Sequence, residues 1–545
     1  MAKQVFYDDD ARERVLGGAK ALYDAVKVTF GPKGHNVVIG KTYGGPTVTH
    51  DGVTVAESID LAETDETLGY SVGAELIKQA ATKLNKKAGD GTTTVTVLTY
   101  NILAEANKLI AAGHNPQELR KGIEKAGAAV MVQLDKMAES IADKPERVAE
   151  VATISAGSIE IGRLIANVIS KIGKDGVVTV EAGQGLEMES EVVKGYSFDR
   201  GFVSPFFVTD AARQEAIYDK PAILIADYKI SNAQEFVPFL ERVAAAGRKN
   251  LVIIAEEVDG EALSLLVLNK LKGAFDSVAV KAPAYGDKRK AQLEDIAILT
   301  GATVISEDLG MTLEDADLSV LGTARRIIVG KDNTTIIEGA GDARLLQERI
   351  DYIGKLADNA PSEYEKEQLL ERRASLQGKV AVIKVGGATE TEIDEKKFRV
   401  DDAVAATKAA LEEGIVPGGG VTLVNAANKI DIKGSDSIAA GQKVLQLALK
   451  QPFLQITRNA GLNSDALLAQ VEAHKKPGFG VNVMKPTAGL VDLKVEGVID
   501  PAKVAKEAVQ NSVSIAATAI TMGALVVEVP EPKSGTTPDM SGMGY

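Results

Sequence analysis

Six consecutive residues, Gly89, Asp90, Gly91, Thr92, Thr93 and Thr94, bring together the types that phosphate chemistry needs. Gly89 can close a preceding helix in the left-handed conformation, and Gly91 lets the main chain approach a ligand closely. Thr92 is a natural N-cap for a helix beginning near Thr93, whose first turn offers unpaired N–H groups. The threonine hydroxyls add donors. Asp90 beside a phosphate is repulsive unless a divalent cation bridges the two, so its expected role is that of a magnesium ligand. The spacing is not that of a Walker loop, since no lysine follows the second glycine. Taken alone, the stretch is more simply a helix–turn–helix junction with a threonine cap. Its company changes that reading: "TFGPKG" at 29–34, "THDGVTV" at 49–55, "RVDDAVAATKAALEEGIVPGGG" at 399–420 and "GVIDP" at 497–501.

These motifs lie far apart, so the elements around them must fold back to unite them. Helical spacing runs over 11–28, 66–88, 92–111 and 116–138, and "NVVIGKTYGGPTVTHDGVTV" (36–55) reads as two strands around a Tyr-Gly-Gly-Pro turn. From 175 to 330 short β-branched runs alternate with helical segments, the texture of an α/β domain. A charged stretch at 337–377 predicts an exposed antiparallel helical pair, and helical texture returns from 400 onward. One texture at both ends and another between them predicts a middle domain inserted into a domain made from both termini. The chain of 545 residues is too long for one core.

Composition narrows the function. The formal net charge of −14 disfavours nucleic-acid phosphates as partners. No cysteine is present, which excludes disulfides, thiolate metal sites and cysteine nucleophiles. The four histidines, His35, His50, His114 and His474, have no metal-ligand spacing. The start shows no apolar leader, and the longest apolar stretch, 514–527, is too short for a bilayer. The expectation is a soluble, cytoplasmic protein without a membrane or nucleic-acid partner.

In combination the motifs closely resemble those of the group I chaperonins, the GroEL family of ATP-driven protein-folding rings, over residues 2–530. The resemblance implies a multidomain α/β fold: a mainly helical equatorial ATPase domain (1–137 and 413–530), a small intermediate domain (138–193 and 380–412), an inserted α/β apical domain (194–379) and a disordered tail (531–545). It implies that Thr29, Phe30, Gly31 and Pro32 lie against phosphates and sugar and that Asp90 to Thr94 wrap the phosphates, with Asp90 on Mg2+. Asp402 matches the carboxylate that orients the attacking water, and Asp51 a second carboxylate near the γ-phosphate. Gly419 and Asp500 match ribose-side contacts, and Asn482, Val483 and Met484 the base side. By itself Asp402 reads more simply as a helix cap; the match assigns it the catalytic role.

In the middle domain Val237 with Leu240, and Leu263 with Val267, sit at helical spacing, which most often means core. The resemblance implies instead that Phe202, Phe206, Phe207, Val237, Leu240, Leu263, Val267 and Leu268 form an exposed rim for non-native polypeptides. The same helices would dock a co-chaperonin lid of the GroES family. Gly195, Gly378 and Gly414 are the expected hinges, and the 37–51 hairpin and the strand near Val5 the edges for ring closure. Two stacked seven-membered rings, ATP, Mg2+ and K+ follow from the resemblance alone. The chain departs from the family pattern in several places. His50, at a position that the resemblance assigns to the monovalent-cation and nucleotide site, replaces a lysine, Gly378-Lys379 a glycine pair, and Asn482-Val483-Met484 an Asn-Ala-Ala. The stretch from there to Asp500 is about two residues longer, and the tail holds a single "GMG". A lidless group II-like chaperonin, a soluble phosphotransferase and a passive holdase are the rival expectations.

Overall fold

A computed structural model describes residues 2–40, 46–142, 144–173, 176–183, 185–210 and 213–529. The contacts divide the chain into two compact units, Met1–Ser170 with Gly387–Tyr545, and Lys171–Gly386. The middle of the chain is therefore an insertion between the two halves of the first unit.

The first unit is built on helices. Asp8–Val26, Tyr70–Ala88, Thr92–Ala111 and Pro116–Met137 come from its first half, and Ser437–Ala448 and Ala502–Ala519 from its second. Local chemistry explains their ends. Asn115 caps the Pro116 helix by accepting from the N–H groups of Gln117 and Glu118, with proline at the first position, where its missing N–H costs nothing. Apolar residues three and four apart form one core that includes Leu22, Ile77, Leu84, Leu98, Ile102, Ile123, Val444, Leu445 and Val509. The Asp8–Val26 and Tyr70–Ala88 helices cross at near-contact of their backbones. A Cβ added to Gly73 would fall 1.9 Å from the Val15 carbonyl oxygen, so only glycine fits there.

Strands in this unit are short and paired in twos. Lys3–Tyr7 runs antiparallel to Ala524–Glu528, Val37–Ile39 to Thr47–Thr49, Ile415–Pro417 to Ile499–Pro501, and Phe479–Val481 to Leu490–Asp492. Three expectations are corrected here. The 36–55 stretch is not two strands to its end: Asp51 accepts from the N–H groups of Val53 and Thr54 and so starts a helix, Gly52–Glu57. The predicted turn of that hairpin falls outside the described residues at 43–45. The strand near Val5 gives one of its edges to the chain's own C-terminal strand. Finally, the second half of the unit, expected to be all-helical, carries the small ladders that hold Asp500.

The second unit is a ten-stranded mixed sheet flanked by helices. Its order runs Asp276–Lys281, Asn250–Ala255, Ala222–Ala226, Gly322–Val329, Thr334–Gly339, Glu189–Phe198, Lys379–Val385, Val177–Ala182; Val304–Ile305 and Ala216–Asp219 pair off this path. The first three are mutually parallel, and Ala222–Ala226 is buried throughout, as a strand covered on both faces must be. The charged stretch forms the helical pair Ala343–Asp358 and Glu363–Leu376. It is tied down by the fully enclosed Asp295, which accepts from Arg349 Nε at 2.7 Å and Arg372 Nη2 at 2.8 Å. Among the described residues no helix is long and apolar enough to cross a membrane.

Candidate active site

The turn between the Tyr70–Ala88 and Thr92–Ala111 helices is where the first unit gathers its chemistry. Gly89 ends the first helix at φ 68° and Gly91 precedes the second at φ 86°, both left-handed. Gly91, not Thr92, is the N-cap. No side chain caps this helix, and Thr92 is nearly buried at 8% exposure, which leaves the first-turn N–H groups without a side-chain acceptor. The Gly91 N–H instead donates to Asp90 Oδ1 at 2.5 Å and fixes that carboxylate at the mouth of the turn.

Other segments close in on this turn. A Cβ on Gly52 would lie 2.5 Å from Thr93 Oγ1 and 3.2 Å from Thr92 Oγ1, so the Asp51 turn rests on the start of the helix. A Cβ on Gly89 would lie 2.0 Å from Ala405 Cβ, so the helix Glu390–Glu413 docks one turn beyond Asp402. A Cβ on Gly91 would lie 2.6 Å from Val504 Cγ1, at the start of the helix that follows Asp500. Asp500 itself lies against the glycine turn after Ile415–Pro417: a Cβ on Gly418 would fall 2.9 Å from its Oδ1. Gly419 in that turn has φ 63°.

Asp51, Asp90, Asp402 and Asp500 thus converge from opposite ends of the chain, and the titration of Asp90, Asp402 and Asp500 registers it. Burial raises the Asp90 carboxyl, with a further push from the Asp51 charge, against the Gly91 N–H that stabilises the anion. Asp402 is raised well above the carboxylate range by burial, then by Asp51, Asp90 and Asp401. Asp500 is pushed up to about 7 by burial and by Asp90. Among the described residues no lysine or arginine forms an ion pair with any of the four. A cation among such carboxylates would offset their mutual repulsion. No three His, Cys, Asp or Glu side chains among the described residues stand close enough to hold a metal by themselves. A cation held here would need further ligands, such as phosphate oxygens and water, of the kind magnesium accepts.

The remaining expected residues are placed as follows. Thr29 is buried and donates its hydroxyl to the Val26 carbonyl, while Phe30 to Gly34 make a tight turn with Gly31 at φ 80° and Pro32 exposed. His50 lies against the Gly31 backbone. Burial and the neighbouring Arg399 charge lower its pKa and so favour the neutral imidazole. Thr93 and Thr94 keep partial exposure. The three base-side residues differ in how their side chains are presented. The Asn482 side chain is occupied internally, accepting from the Met484 N–H and donating to Glu496 at 3.3 Å, and Val483 is buried. Of the three, only Met484 presents its side chain, at 58% exposure.

Two residues that sequence reasoning passed over adjoin these turns. Asn459 Nδ2 donates to the carbonyls of Lys27 and Phe30, both at 2.9 Å, and so ties the 29–34 turn to the helix Gln451–Asn459. The enclosed Ser155 hydroxyl lies beside Asp90 and favours its charged form. No local signal marks either, because the partners lie on other elements of the chain.

In the second unit the helices Ala233–Ala245 and Gly260–Leu271 lie side by side. The expected apolar rim is only partly exposed. Phe206 and Leu268 are open, at 60% and 49%, and Phe202, Val237, Leu263 and Val267 are half-buried. Phe207 and Leu240 are corrections: both are core. Phe206 and Phe207 share one 3-10 turn, Pro205–Phe207, so neighbouring rings must point apart, and the second turns inward. Leu271, at 66% exposure, extends the apolar surface and was not expected. Of the expected hinges, Gly195 sits mid-strand with its N–H bonded to the Gly378 carbonyl, and Gly414 ends the Asp402 helix at φ 83°.

Comparison with known proteins gives this arrangement its class. The fold is that of a chaperonin: the chaperonin gp146 from the bacteriophage EL 2 (Pseudomonas aeruginosa), solved in presence of ATP-BeFx, superposes with a TM-score of 0.66 at 21% identity, over 96% of this chain and 99% of that one. The sequence supplies the family. The model of the TCP-1/cpn60 chaperonin family matches residues 22–530, and the chain belongs to that family.

Proposed function

We propose that this chaperonin couples ATP hydrolysis to the capture, encapsulation and release of non-native polypeptides. The observation that carries the reading is the convergence of Asp51, Asp90, Asp402 and Asp500 on the uncapped N-terminus of the Thr92 helix. The first-turn N–H groups and the hydroxyls of Thr93 and Thr94 would receive phosphate oxygens. Mg2+ bound at Asp90 would neutralise charge on the phosphates and on the transferring group; K+ is the second cation of this reading. Asp402, whose raised pKa makes it a competent proton acceptor once a cation offsets its neighbours, would orient and deprotonate the attacking water, with Asp51 beside it. Gly419 and Asp500 would face the ribose. Met484 is the base-side group.

In the same reading residues 194–379 form the apical domain, residues 138–193 with 380–412 the intermediate one, and the protein is cytoplasmic. The open apolar groups Phe206, Leu268 and Leu271, with the half-buried Val237, Leu263 and Val267, would take both client chains and a lid of the GroES family. Copies would close into stacked rings.

Asp402→Ala provides the test. ATP should still bind, at an affinity within about threefold of wild type, while turnover drops by roughly 10²-fold or more. A variant that hydrolyses normally would remove Asp402 from the chemistry. Electron microscopy with ATP, with and without a lid protein, addresses architecture: rings that gain a cap support the whole reading, and rings that never do indicate a lidless chaperonin.

A further inference from the structure

Glu139 joins three segments that enclose the carboxylate cluster. Through its main chain it forms an antiparallel bridge with Ile415: its N–H donates to the Ile415 carbonyl at 2.9 Å, and its carbonyl accepts from the Ile415 N–H at 2.8 Å. Ile415 follows directly on Gly414, where the Asp402 helix ends. Through its side chain Glu139 accepts from Lys494 Nζ at 3.0 Å and from Lys144 Nζ at 2.6 Å. Lys494 belongs to the loop that leads into Ile499–Pro501, the strand that carries Asp500.

The same loop has a second anchor. Arg147 Nη1, on the helix Pro145–Ala156, donates to the Lys494 carbonyl at 2.7 Å and to Glu150 Oε2 at 2.6 Å. That helix carries Ser155, which faces Asp90. The ladder that positions Asp500 is only three residues long on each side and has two strands, so its own hydrogen bonds hold it weakly. Side-chain ties from Glu139 and Arg147 supply what the ladder lacks. The two lysines hold the Glu139 carboxyl at about 2, so it is charged at any pH where the protein works.

Resting on the nucleotide-site reading above, we propose that Glu139 is a positioning residue for nucleotide binding. With Lys494 and Arg147 it clamps the 493–498 loop, so that Asp500 and the Gly418–Gly420 turn keep one place relative to each other. Glu139 touches no substrate in this scheme; it acts through Lys494.

Steady-state ATP hydrolysis by the full chain tests this, using Glu139→Gln, Lys494→Met, their double variant and Lys494→Arg. The Glu139–Lys494 pair is partly exposed, at 40% and 26%, so its effect is moderate. Each neutralising single variant should raise KM for ATP roughly three- to tenfold with kcat within about twofold of wild type. The double variant should be no worse than the worse single, because one contact is lost in either case. Lys494→Arg should restore KM to within about twofold of wild type. A purely structural role would instead lower kcat through loss of active protein and leave KM alone. An unchanged KM in both singles overturns the proposal. Asp402→Ala, measured alongside, separates the two failures: if it abolishes turnover while the Glu139 and Lys494 variants are silent, only the clamp is wrong. If it leaves turnover intact, the nucleotide-site reading falls first.

Discussion

At the scale of residues, the four aspartates store repulsion that a bound cation would relieve. Asp500 shows the consequence. Its folded pKa, about 7, lies above its ordinary value of 3.8, so between those limits the native state holds a proton that the unfolded chain has lost. Stability from this group is therefore present at low pH and is lost as pH rises toward 7. Without Mg2+ or nucleotide, Asp500→Asn should melt higher than wild type at pH 7.5 by at least about 2 °C, with the difference shrinking at pH 5. A melting difference that is flat with pH, or of the opposite sign, would falsify the claim that this carboxylate is ionised against its surroundings. Asp90→Ala should abolish the increase in melting temperature that Mg2+ with ATP produces in wild type, since the proposed metal ligand is gone.

At the scale of elements, the site depends on how closely the helices approach the 89–91 turn. Gly89 has two reasons to be glycine: φ of 68°, and the Ala405 methyl where its own Cβ would be. Gly113 has only the first, with φ 94° and open space around it. Gly113→Ala should cost about 1–2 kcal/mol from backbone strain. Gly89→Ala should cost about 1–3 kcal/mol more, because the Asp402 helix must shift to admit the methyl. Denaturant midpoints of the two variants measure the difference. Equal midpoints would mean that the Asp402 helix does not rest on the turn.

At the scale of the whole molecule, the chain separates chemistry from the apolar surface: all four aspartates lie in one unit and the exposed Phe206, Leu268 and Leu271 in the other. Asp295 allows each to be perturbed alone. It is fully enclosed between Arg349 and Arg372, and its replacement by Ala removes the carboxylate that both half-buried guanidiniums share, leaving Arg349 only Glu294, at a cost of about 3 kcal/mol. Hydrogen exchange should then quicken within 171–386 and stay unchanged in the Thr92 helix, while ATP turnover persists. Faster exchange spread evenly over both units would show that they do not fold as separate bodies.

The sequence by itself determined the helices at 92–111 and 116–138, the insertion of an α/β unit and the glycine turn at 89–91. These follow from periodicity and local dihedral preference, which need no distant partner. It also named the four aspartates, through motif combination rather than through any spacing between them. Only the tertiary structure decided that Gly91 rather than Thr92 caps the helix, that Asp51 starts one, that Phe207 and Leu240 face inward, and that the Val5 strand is paired within its own chain. It alone brought Ser155 to Asp90 and Asn459 to Phe30. The two helix starts are local choices of backbone dihedral that the residue types leave open; the other features depend on which surfaces meet once the chain has folded back, and a linear pattern carries no record of that.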